Sequence, residues 1–185
     1  MNETLKTIAE RYSCRDFTGA PLAEAEVKAL VDAALAAPSA MNRQPWRVIV
    51  ITDKALIDEL DAESVAVLAA GDKAGYERIM SRGGKVFYNA PCMILIASDG
   101  SGYAAMDCGI VSQNVALAAH SLGLGNVICG MAGIPFNGPR GAEFKKRVKF
   151  PEGFGFGVAV LIGAAKSGKA PHEPDAVKVT YIAGL

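Results

Sequence analysis

Four short apolar runs constrain the fold of this chain more than any other feature. They lie at residues 47–52, 92–97, 125–129 and 157–163. The first run, Val48-Ile49-Val50-Ile51, is β-branched throughout and apolar on both faces of a strand. Helical patterns separate the runs, so helices are expected on both sides of these strands. The sequence therefore predicts an α+β sandwich, with a mixed central sheet flanked by helices.

Helical spacing is clearest just before the first run, where apolar residues repeat at i, i+3, i+4, i+7 and i+8: Val27, Leu30, Val31, Ala34 and Leu35. Residues 3–11 favour a short helix, and residues 139–149 favour a basic helix with a solvated face. Residues 104–122 favour a long and strongly apolar helix, which belongs at the centre of the molecule or of a dimer. Its polar residues are Asp107, Ser112, Gln113, Asn114 and His120.

The composition argues against several classes of partner. Nineteen basic residues balance nineteen acidic ones, so no global field attracts nucleic acid or an anionic membrane. Hydrophobic residues make up 51% of the chain, yet no apolar run approaches the ~20 residues of a membrane span. Residues 1–6 lack the features of a signal peptide. We expect one domain over residues 1–185, a cytoplasmic location, and burial of surplus apolar surface in a subunit interface.

A stiff, irregular segment lies between the amphipathic helix and the first strand. Pro38 ends the helix, and Pro45 is expected to hold the residue before it, Gln44, in an extended conformation. Trp46, the single tryptophan, offers a flat apolar face. Between the two prolines lie side chains that donate and accept hydrogen bonds: Ser39, Asn42 and Gln44. The chemistry alone permits two interpretations, a wall of a binding site or a helix-to-strand corner in which Trp46 fills the core.

Two arginines near the N-terminus form a candidate anion site. Arg11 and Arg15 lie on one side of the chain whether the segment is helical or extended, and Ser13 joins them only if it is extended. Guanidinium groups bind oxyanions through paired hydrogen bonds, which suits a phosphate. Taken alone, such a pair of arginines is more often solvated surface.

The four cysteines do not form a metal-binding pattern. Cys14, Cys92, Cys108 and Cys129 include no CxxC pair and no histidine at ligand spacing, so no metal site is expected. Cys14 lies between two arginines, which could lower its pKa and keeps a thiol-redox protein open as an alternative.

The glycine-rich stretch at residues 123–130 is not a dinucleotide-binding fingerprint, because it follows a helix and opens a strand. Gly123 is expected to cap the helix at its C-terminus. At the end of the strand, Cys129, Gly130 and Met131 can present backbone N–H groups to a ligand, and Gly130 permits close approach.

These motifs together resemble the FMN-dependent nitroreductase family. Pro38-Ser39-Ala40-Met41-Asn42-Arg43-Gln44-Pro45-Trp46 is similar to the family signature P-S-x-x-N-x-Q-P-W. Arg11-Tyr12-Ser13-Cys14-Arg15, Ala90-Pro91 and Gly123-Leu124-Gly125 follow the order of further family landmarks.

The resemblance implies a cofactor site and a reaction. FMN would bind to residues from several segments: Arg11, Ser13, Arg15, Pro38, Ser39, Ala40, Asn42, Gln44, Cys129 and Gly130. A basic tail residue would contact the FMN phosphate, with Lys166, Lys169 and His172 as candidates and the last two preferred. NADH or NADPH would reduce the flavin, which would pass hydride to a nitroaromatic, quinone or related acceptor by a ping-pong route. No side chain would be a catalytic nucleophile, and Arg15 would stabilise the reduced flavin electrostatically.

The resemblance also implies a homodimer with FMN at the interface. A tail strand at 177–182, after a polar arm, would complete the sheet of the partner, and residues 54–85 would help form a lid over the substrate pocket. Two functional alternatives stay open within this frame. One is a flavin-storing protein without enzymatic activity, and the other is a specialised flavin-destroying, dehalogenating or azoline-oxidising enzyme.

Overall fold

An antiparallel sheet of four strands forms the middle layer of the protein in the computed structural model, which describes residues 1–182. The strands are β1 (Trp46–Ile51), β2 (Cys92–Ser98), β3 (Gly125–Cys129) and β4 (Gly155–Gly163), in the spatial order β1-β2-β4-β3. All four predicted strands are confirmed to within two residues at their ends.

The pairing of the strands differs from the mixed sheet that the sequence led us to expect. Each neighbouring pair of strands is antiparallel. Ile51, at the end of β1, lies opposite Met93, at the start of β2. The chain therefore enters β2 at the same end of the sheet at which it left β1. A parallel pairing occurs at the isolated bridge between Ser13 and Asn126.

Helices cover both faces of this sheet. They are α1 (Glu3–Glu10), α2 (Glu24–Leu35), α3 (Lys54–Gly71), α4 (Lys73–Met80), α5 (Ala104–Ser121), α6 (Ile134–Asn137) and α7 (Gly141–Arg147). Within residues 1–182, no helix is long and apolar enough to cross a membrane.

The two faces of the sheet carry separate hydrophobic cores. Alternate residues of β2 point to opposite sides, so that Met93 and Leu95 pack with α3, α4, α6 and α7, whereas Ile94 and Ile96 pack with α2 and α5. Residues 92–97 are fully buried. Burial of each large aliphatic side chain contributes roughly 1.5–3 kcal/mol, which explains the continuous apolar run in the sequence.

Helices α3 and α4 form part of a core layer, and the expectation that residues 54–85 help form a lid over the substrate pocket stays a prediction. Ile57, Leu60 and Leu68 of α3 and Ile79 of α4 are buried in the first of these cores. Asp61 also faces inward, where its carboxylate accepts the backbone N–H groups of residues 86 and 87. A segment that buries so much apolar surface is fixed on the sheet.

Helix α5 packs on the sheet with one face and leaves the other exposed. Val111, Val115 and Ala119 are fully buried against β2 and β4. The amide of Asn114 donates to the carbonyl of Ala33 at 3.1 Å, and this contact ties α5 to α2. The opposite face is solvent-exposed in a single chain, at Ala105, Met106, Gly109 and Gln113.

Residues 166–182 run over the surface after the last strand. They contain a 3₁₀ turn at Ala176–Lys178, and the predicted strand at 177–182 does not form in a single chain. Val177 is 92% exposed and Ile182 is 96% exposed. An extended segment needs a neighbouring strand for its backbone groups, and this tail has no such neighbour within the described residues.

Candidate functional site

The segment after α1 places its polar side chains outward because its other residues are anchored in the core. Cys14 and Phe17 are buried. The backbone N–H of Cys14 donates to the carbonyl of Asn126 at 2.8 Å, and that of Phe17 donates to the carbonyl of Tyr88 at 3.2 Å. The segment therefore continues the sheet beyond β3 as an extended chain, which is the condition under which Ser13 joins the two arginines.

A small basic pocket forms where this segment meets the tail. Its volume is about 170 Å³, and its lining comprises Arg11, Tyr12, Ser13, Arg15, Lys169, Ala170, Pro171 and His172. Five of the predicted site residues thus come together: Arg11, Ser13, Arg15, Lys169 and His172. No carboxylate lines this pocket. The juxtaposition favours a ligand group that carries negative charge.

The backbone pairing of the tail selects between the three basic tail candidates. The N–H of Lys166 donates to the carbonyl of Asp16 at 2.9 Å, and Phe17 forms an isolated bridge with Ala165. From this anchor the chain returns past Arg15, so that Lys169 and His172 line the pocket and the Lys166 side chain does not. Lys169 and His172 therefore line the same pocket as Arg11 and Arg15.

The donor set of the pocket fits the phosphate of a mononucleotide. Two guanidinium groups, an ammonium group, a hydroxyl and an imidazole all offer hydrogen-bond donors. Charge-assisted bonds of this kind are the strong ones, and arginine matches phosphate in geometry as well as in charge. A pocket of about 170 Å³ is smaller than the ~300 Å³ at which sites for whole ligands of drug size begin. It therefore suits one end of such a ligand.

The segment from Pro38 to Pro45 is held in shape by its own polar groups. The N–H of Gln44 donates to the Ser39 hydroxyl at 2.9 Å, and the Gln44 side-chain amide donates to Asn42 Oδ1 at 2.9 Å. The N–H of Asn42 donates to the carbonyl of Ser39 at 3.0 Å. The Ser39 hydroxyl hydrogen, the Asn42 amide hydrogens and the Gln44 amide oxygen are left over for a ligand.

Three non-glycine residues of this segment adopt left-handed backbone angles. Met41 has a φ of 52°, Asn42 of 53° and Gln44 of 49°. The expectation that Pro45 holds Gln44 extended was wrong, because the Gln44 N–H turns back to the Ser39 hydroxyl. Such angles cost free energy and occur where the surroundings impose them, often at binding sites. Met41, at the outermost point, is 74% exposed.

Trp46 is a core residue and not a binding surface. It is 4% exposed and packs with Leu30, Ala34 and Cys108 in the core between α2, α5 and the sheet. Its indole Nε1 has no hydrogen-bond partner within the described residues. Of the two interpretations of this segment, the core interpretation is thus correct for Trp46, while Ser39, Asn42 and Gln44 keep their polar groups at the surface.

The end of β3 leads directly into a 3₁₀ turn at Gly130–Gly133. Gly130 is exposed, and a Cβ atom added there would meet no atom within 4 Å. Close approach is therefore open at Gly130. Burial raises the pKa of the Cys129 thiol, and the positive charge of the nearby Arg15 offsets this only in part.

The cysteine thiols are poorly suited to redox chemistry. Burial raises the pKa of Cys14 and outweighs the effect of the neighbouring Arg15, so the alternative of a lowered pKa is not supported. The Cys14 thiol donates to the carbonyl of Asp16 at 3.4 Å, so it points into the fold. Burial also raises the pKa of Cys92 to about 12. All four thiols are buried and unpaired, and residues 1–182 contain no cluster of His, Cys, Asp or Glu that could hold a metal ion.

Comparison with known proteins identifies the family to which this fold belongs. The model of the Nitroreductase family matches residues 8–149 of the chain. The chain belongs to the nitroreductase family. A crystal structure of a nitroreductase with bound FMN from Desulfitobacterium hafniense DCB-2 is 52% identical to it, with 99% of this chain and 100% of that chain covered and a TM-score of 0.95.

Two relatives of this nitroreductase-family chain have names that state an activity. An NADPH-flavin oxidoreductase from Vibrio harveyi is 31% identical over 138 residues, covering 70% of this chain and 54% of that protein. An FMN reductase (NAD(P)H) from Bacillus subtilis is 29% identical over 190 residues, covering 95% of this chain and 72% of that protein. The chain thus spans about half the length of the Vibrio protein.

The site residues that the sequence predicts for this nitroreductase-family chain lie on two surfaces in a single chain. The basic pocket is lined by residues 11–15 and 169–172. The segment at residues 38–45 instead contacts the first turn of α5, where the backbone N–H of Ala40 donates to Asp107. The resemblance to the family rests on residues of both surfaces, on the signature at residues 38–46 and on the landmark at residues 11–15.

Sequence analysis missed the role of Asp107 in this arrangement. The residue was visible as the one carboxylate in an otherwise apolar helix. Nothing in the sequence indicated that its partner would be a backbone N–H located 67 positions earlier in the chain. A buried carboxylate in an apolar helix is a signal that such a partner exists.

Proposed function

We propose that this chain binds FMN and transfers electrons from NADH or NADPH to nitroaromatic, quinone or related acceptors by a ping-pong route. The observation that carries the proposal is the basic pocket, in which Arg11, Ser13, Arg15, Lys169 and His172 converge without a carboxylate. Membership of the nitroreductase family and the names of its relatives point to the same cofactor.

The pocket residues would hold the phosphate end of FMN. Arg11 and Arg15 would supply paired N–H donors, Ser13 a hydroxyl, and Lys169 or His172 a further positive charge. Arg15 is also close enough to Cys129 for its charge to act on that thiol, and the chain at Gly130 is open to close approach. We infer that this side of the flavin lies over Gly130 and that Arg15 stabilises negative charge there.

FMN supplies the redox chemistry when it is bound, because it accepts two electrons as hydride from NAD(P)H and donates them to the acceptor. The chain contributes binding, orientation and charge. No side chain is proposed as a nucleophile, and the burial of Cys14 and its raised pKa agree with that assignment.

The second wall of the site would come from residues 38–44 of another copy of the chain. Pro38, Ser39, Ala40 and Asn42 would face the flavin, with Gln44 beside them. Their free donors and acceptors lie at the surface and not in the basic pocket. The small volume of that pocket is consistent with a site that a partner completes.

Exposed apolar surface supports the homodimer. The uncovered face of α5 includes Met106, and Tyr103 and Met41 beside it are also exposed. The outer edge of β1 borders a groove of about 470 Å³, lined by residues 48–53, Leu56 and residues 147–149. We propose that residues 177–182 of the partner occupy this groove as a strand, which would bury the exposed Val177 and Ile182.

Flavin binding by the purified protein tests the cofactor assignment. Arg11→Ala removes one partner of a charge-assisted phosphate contact, which typically costs about 2 kcal/mol, so Kd for FMN should rise roughly thirtyfold. Arg82→Ala removes an exposed arginine after α4 and serves as the matched control. If both variants bind FMN as tightly as the parent chain, the pocket is not the phosphate site.

Turnover separates an enzyme from a flavin-storage protein. The FMN-loaded chain should oxidise NADH or NADPH continuously when menadione is present. A chain that binds FMN tightly but shows no steady-state oxidation with either nucleotide and several acceptors would support storage instead.

A further inference from the structure

A buried carboxylate lies beneath the segment that would form the second wall of the flavin site. Asp107, in the first turn of α5, is 2% exposed. Its two oxygens lie 3.2 Å and 3.4 Å from the backbone nitrogen of Ala40. Around it, α5 is apolar and packs into the core that contains Trp46 and Cys108.

The contact to Ala40 connects a strained segment to a rigid helix. The other hydrogen bonds that fix Ser39, Ala40 and Asn42 close within the segment itself. Internal bonds maintain the shape of a loop but do not determine where the loop lies on the protein. The left-handed angles at Met41, Asn42 and Gln44 require a surrounding that maintains them, and Ala40 is immediately beside the first of these residues.

Burial of a carboxylate at this position costs free energy of folding unless the charge is stabilised by a partner group. An apolar residue of similar size usually replaces a buried charge without loss of stability. Here the carboxylate lies in the first turn of a helix, where the helix dipole favours negative charge, and it accepts the partly buried backbone N–H of Ala40. The group therefore matches a donor that belongs to the segment at residues 39–44.

We propose that Asp107 is a positioning residue that holds residues 39–44 in the orientation needed to contact FMN. This inference rests on the proposed function for the identity of the ligand. The hydrogen bond from Ala40 to Asp107, which fixes the segment, does not depend on the ligand. Asp107 acts through the Ala40 N–H and does not touch the cofactor in this arrangement.

Limited proteolysis of the FMN-free protein measures how firmly residues 39–44 are held in position. Arg43 is exposed in the middle of the segment, so trypsin cleavage after Arg43 reports how often the segment leaves its position. Loss of the acceptor in Asp107→Ala should increase this cleavage rate about tenfold in the FMN-free protein and weaken FMN binding by a similar factor. Asp107→Asn keeps an oxygen acceptor for the Ala40 N–H, and both quantities should stay within about threefold of the parent values.

A second helix contact provides the matched control. Asn114→Ala removes the hydrogen bond from α5 to Ala33 and leaves residues 39–44 untouched. This variant should cleave after Arg43 and bind FMN like the parent chain. If it reproduces the changes seen in Asp107→Ala, those changes come from general loosening of α5 and the proposal is wrong.

The outcomes also distinguish this proposal from the proposed function. If the parent chain binds no FMN, the function fails, while the cleavage comparison still tests the role of Asp107. If the parent binds FMN and Asp107→Ala matches it in both cleavage and affinity, the positioning role is wrong. If Asp107→Ala does not fold, Asp107→Leu removes the acceptor without leaving a cavity. Asp107→Leu should then show the faster cleavage and the weaker FMN binding. Parent-like cleavage and parent-like affinity in this variant would refute the positioning role.

Discussion

Gly125, at the start of β3, is predicted to tolerate no side chain because Cys14 packs against it. A Cβ atom on Gly125 would lie 2.9 Å from the Cys14 sulfur and 3.1 Å from the Cβ atoms of Cys14 and Ala165. Neither neighbour moves easily, because Cys14 is hydrogen-bonded to Asn126 and Ala165 is bridged to Phe17. Gly125 does not have a positive φ, so the effect of Gly125→Ala is steric.

The expected loss of stability in Gly125→Ala follows from the steric overlap of the added Cβ atom with Cys14 and Ala165. Overpacking of a tight core by one carbon typically costs about 1–3 kcal/mol of unfolding free energy, and Gly125→Ala should fall in that range. The displaced segment carries Arg11, Ser13 and Arg15, so FMN binding should weaken although no pocket residue has changed. Cys14→Ala removes the nearest atom, and the double variant should therefore be less destabilised than the sum of the single variants.

Urea unfolding and FMN titration of the four chains in this cycle provide the measurements. Gly71→Ala is the control, because a Cβ atom at the end of α3 would meet nothing within 4 Å. The reasoning is refuted if Gly125→Ala unfolds at the parent urea concentration, or if its destabilisation simply adds to that of Cys14→Ala.

Three further predictions follow from single features. Cys14→Ser should retain most reductase activity, because the thiol is buried and the redox chemistry belongs to the cofactor; loss of activity with flavin still bound would contradict this. Burial raises the pKa of Asp61, so the native state holds its proton at higher pH than the unfolded chain does. The unfolding free energy of the parent relative to that of Asp61→Asn should accordingly fall as pH rises from about 4 through the raised pKa. A difference in unfolding free energy that stays constant or increases with pH would contradict this prediction. Dilution should release FMN as the dimer dissociates, whereas a monomer that keeps stoichiometric FMN in sedimentation would exclude the shared site.

The strands and main helices could be predicted because their signals are local. Continuous apolar runs at residues 92–97 and 157–163 require burial on both faces, and the structure places both runs in the centre of the sheet. Gly123 caps α5 with a φ of 76°, and the N–H of Leu124 donates to the carbonyl of Ala119, as the helix-ending pattern indicated.

The details of the candidate site could be predicted only in part, because they depend on distant partners. Proline chemistry indicated an extended Gln44, but a hydroxyl five positions earlier accepts its N–H and reverses the angle. Two neighbouring arginines left a lowered pKa of Cys14 open as an alternative, but its side chain turns inward and packs against Gly125. In both cases a contact outside the local pattern decided the outcome.

The protection of a sheet edge and the placement of the arginines depend on the same contact. Strand β3 is at one edge of the sheet, and an unpaired edge is a template for aggregation. The extended segment around Ser13 and Cys14 pairs with Asn126 of this strand and covers part of that edge. Because the same backbone carries Arg11 and Arg15, any change that separates it from β3 both exposes the edge and disperses the basic pocket. Variants that separate this segment from β3 should therefore lose flavin and solubility together, whereas variants of residues 38–44 should lose flavin alone.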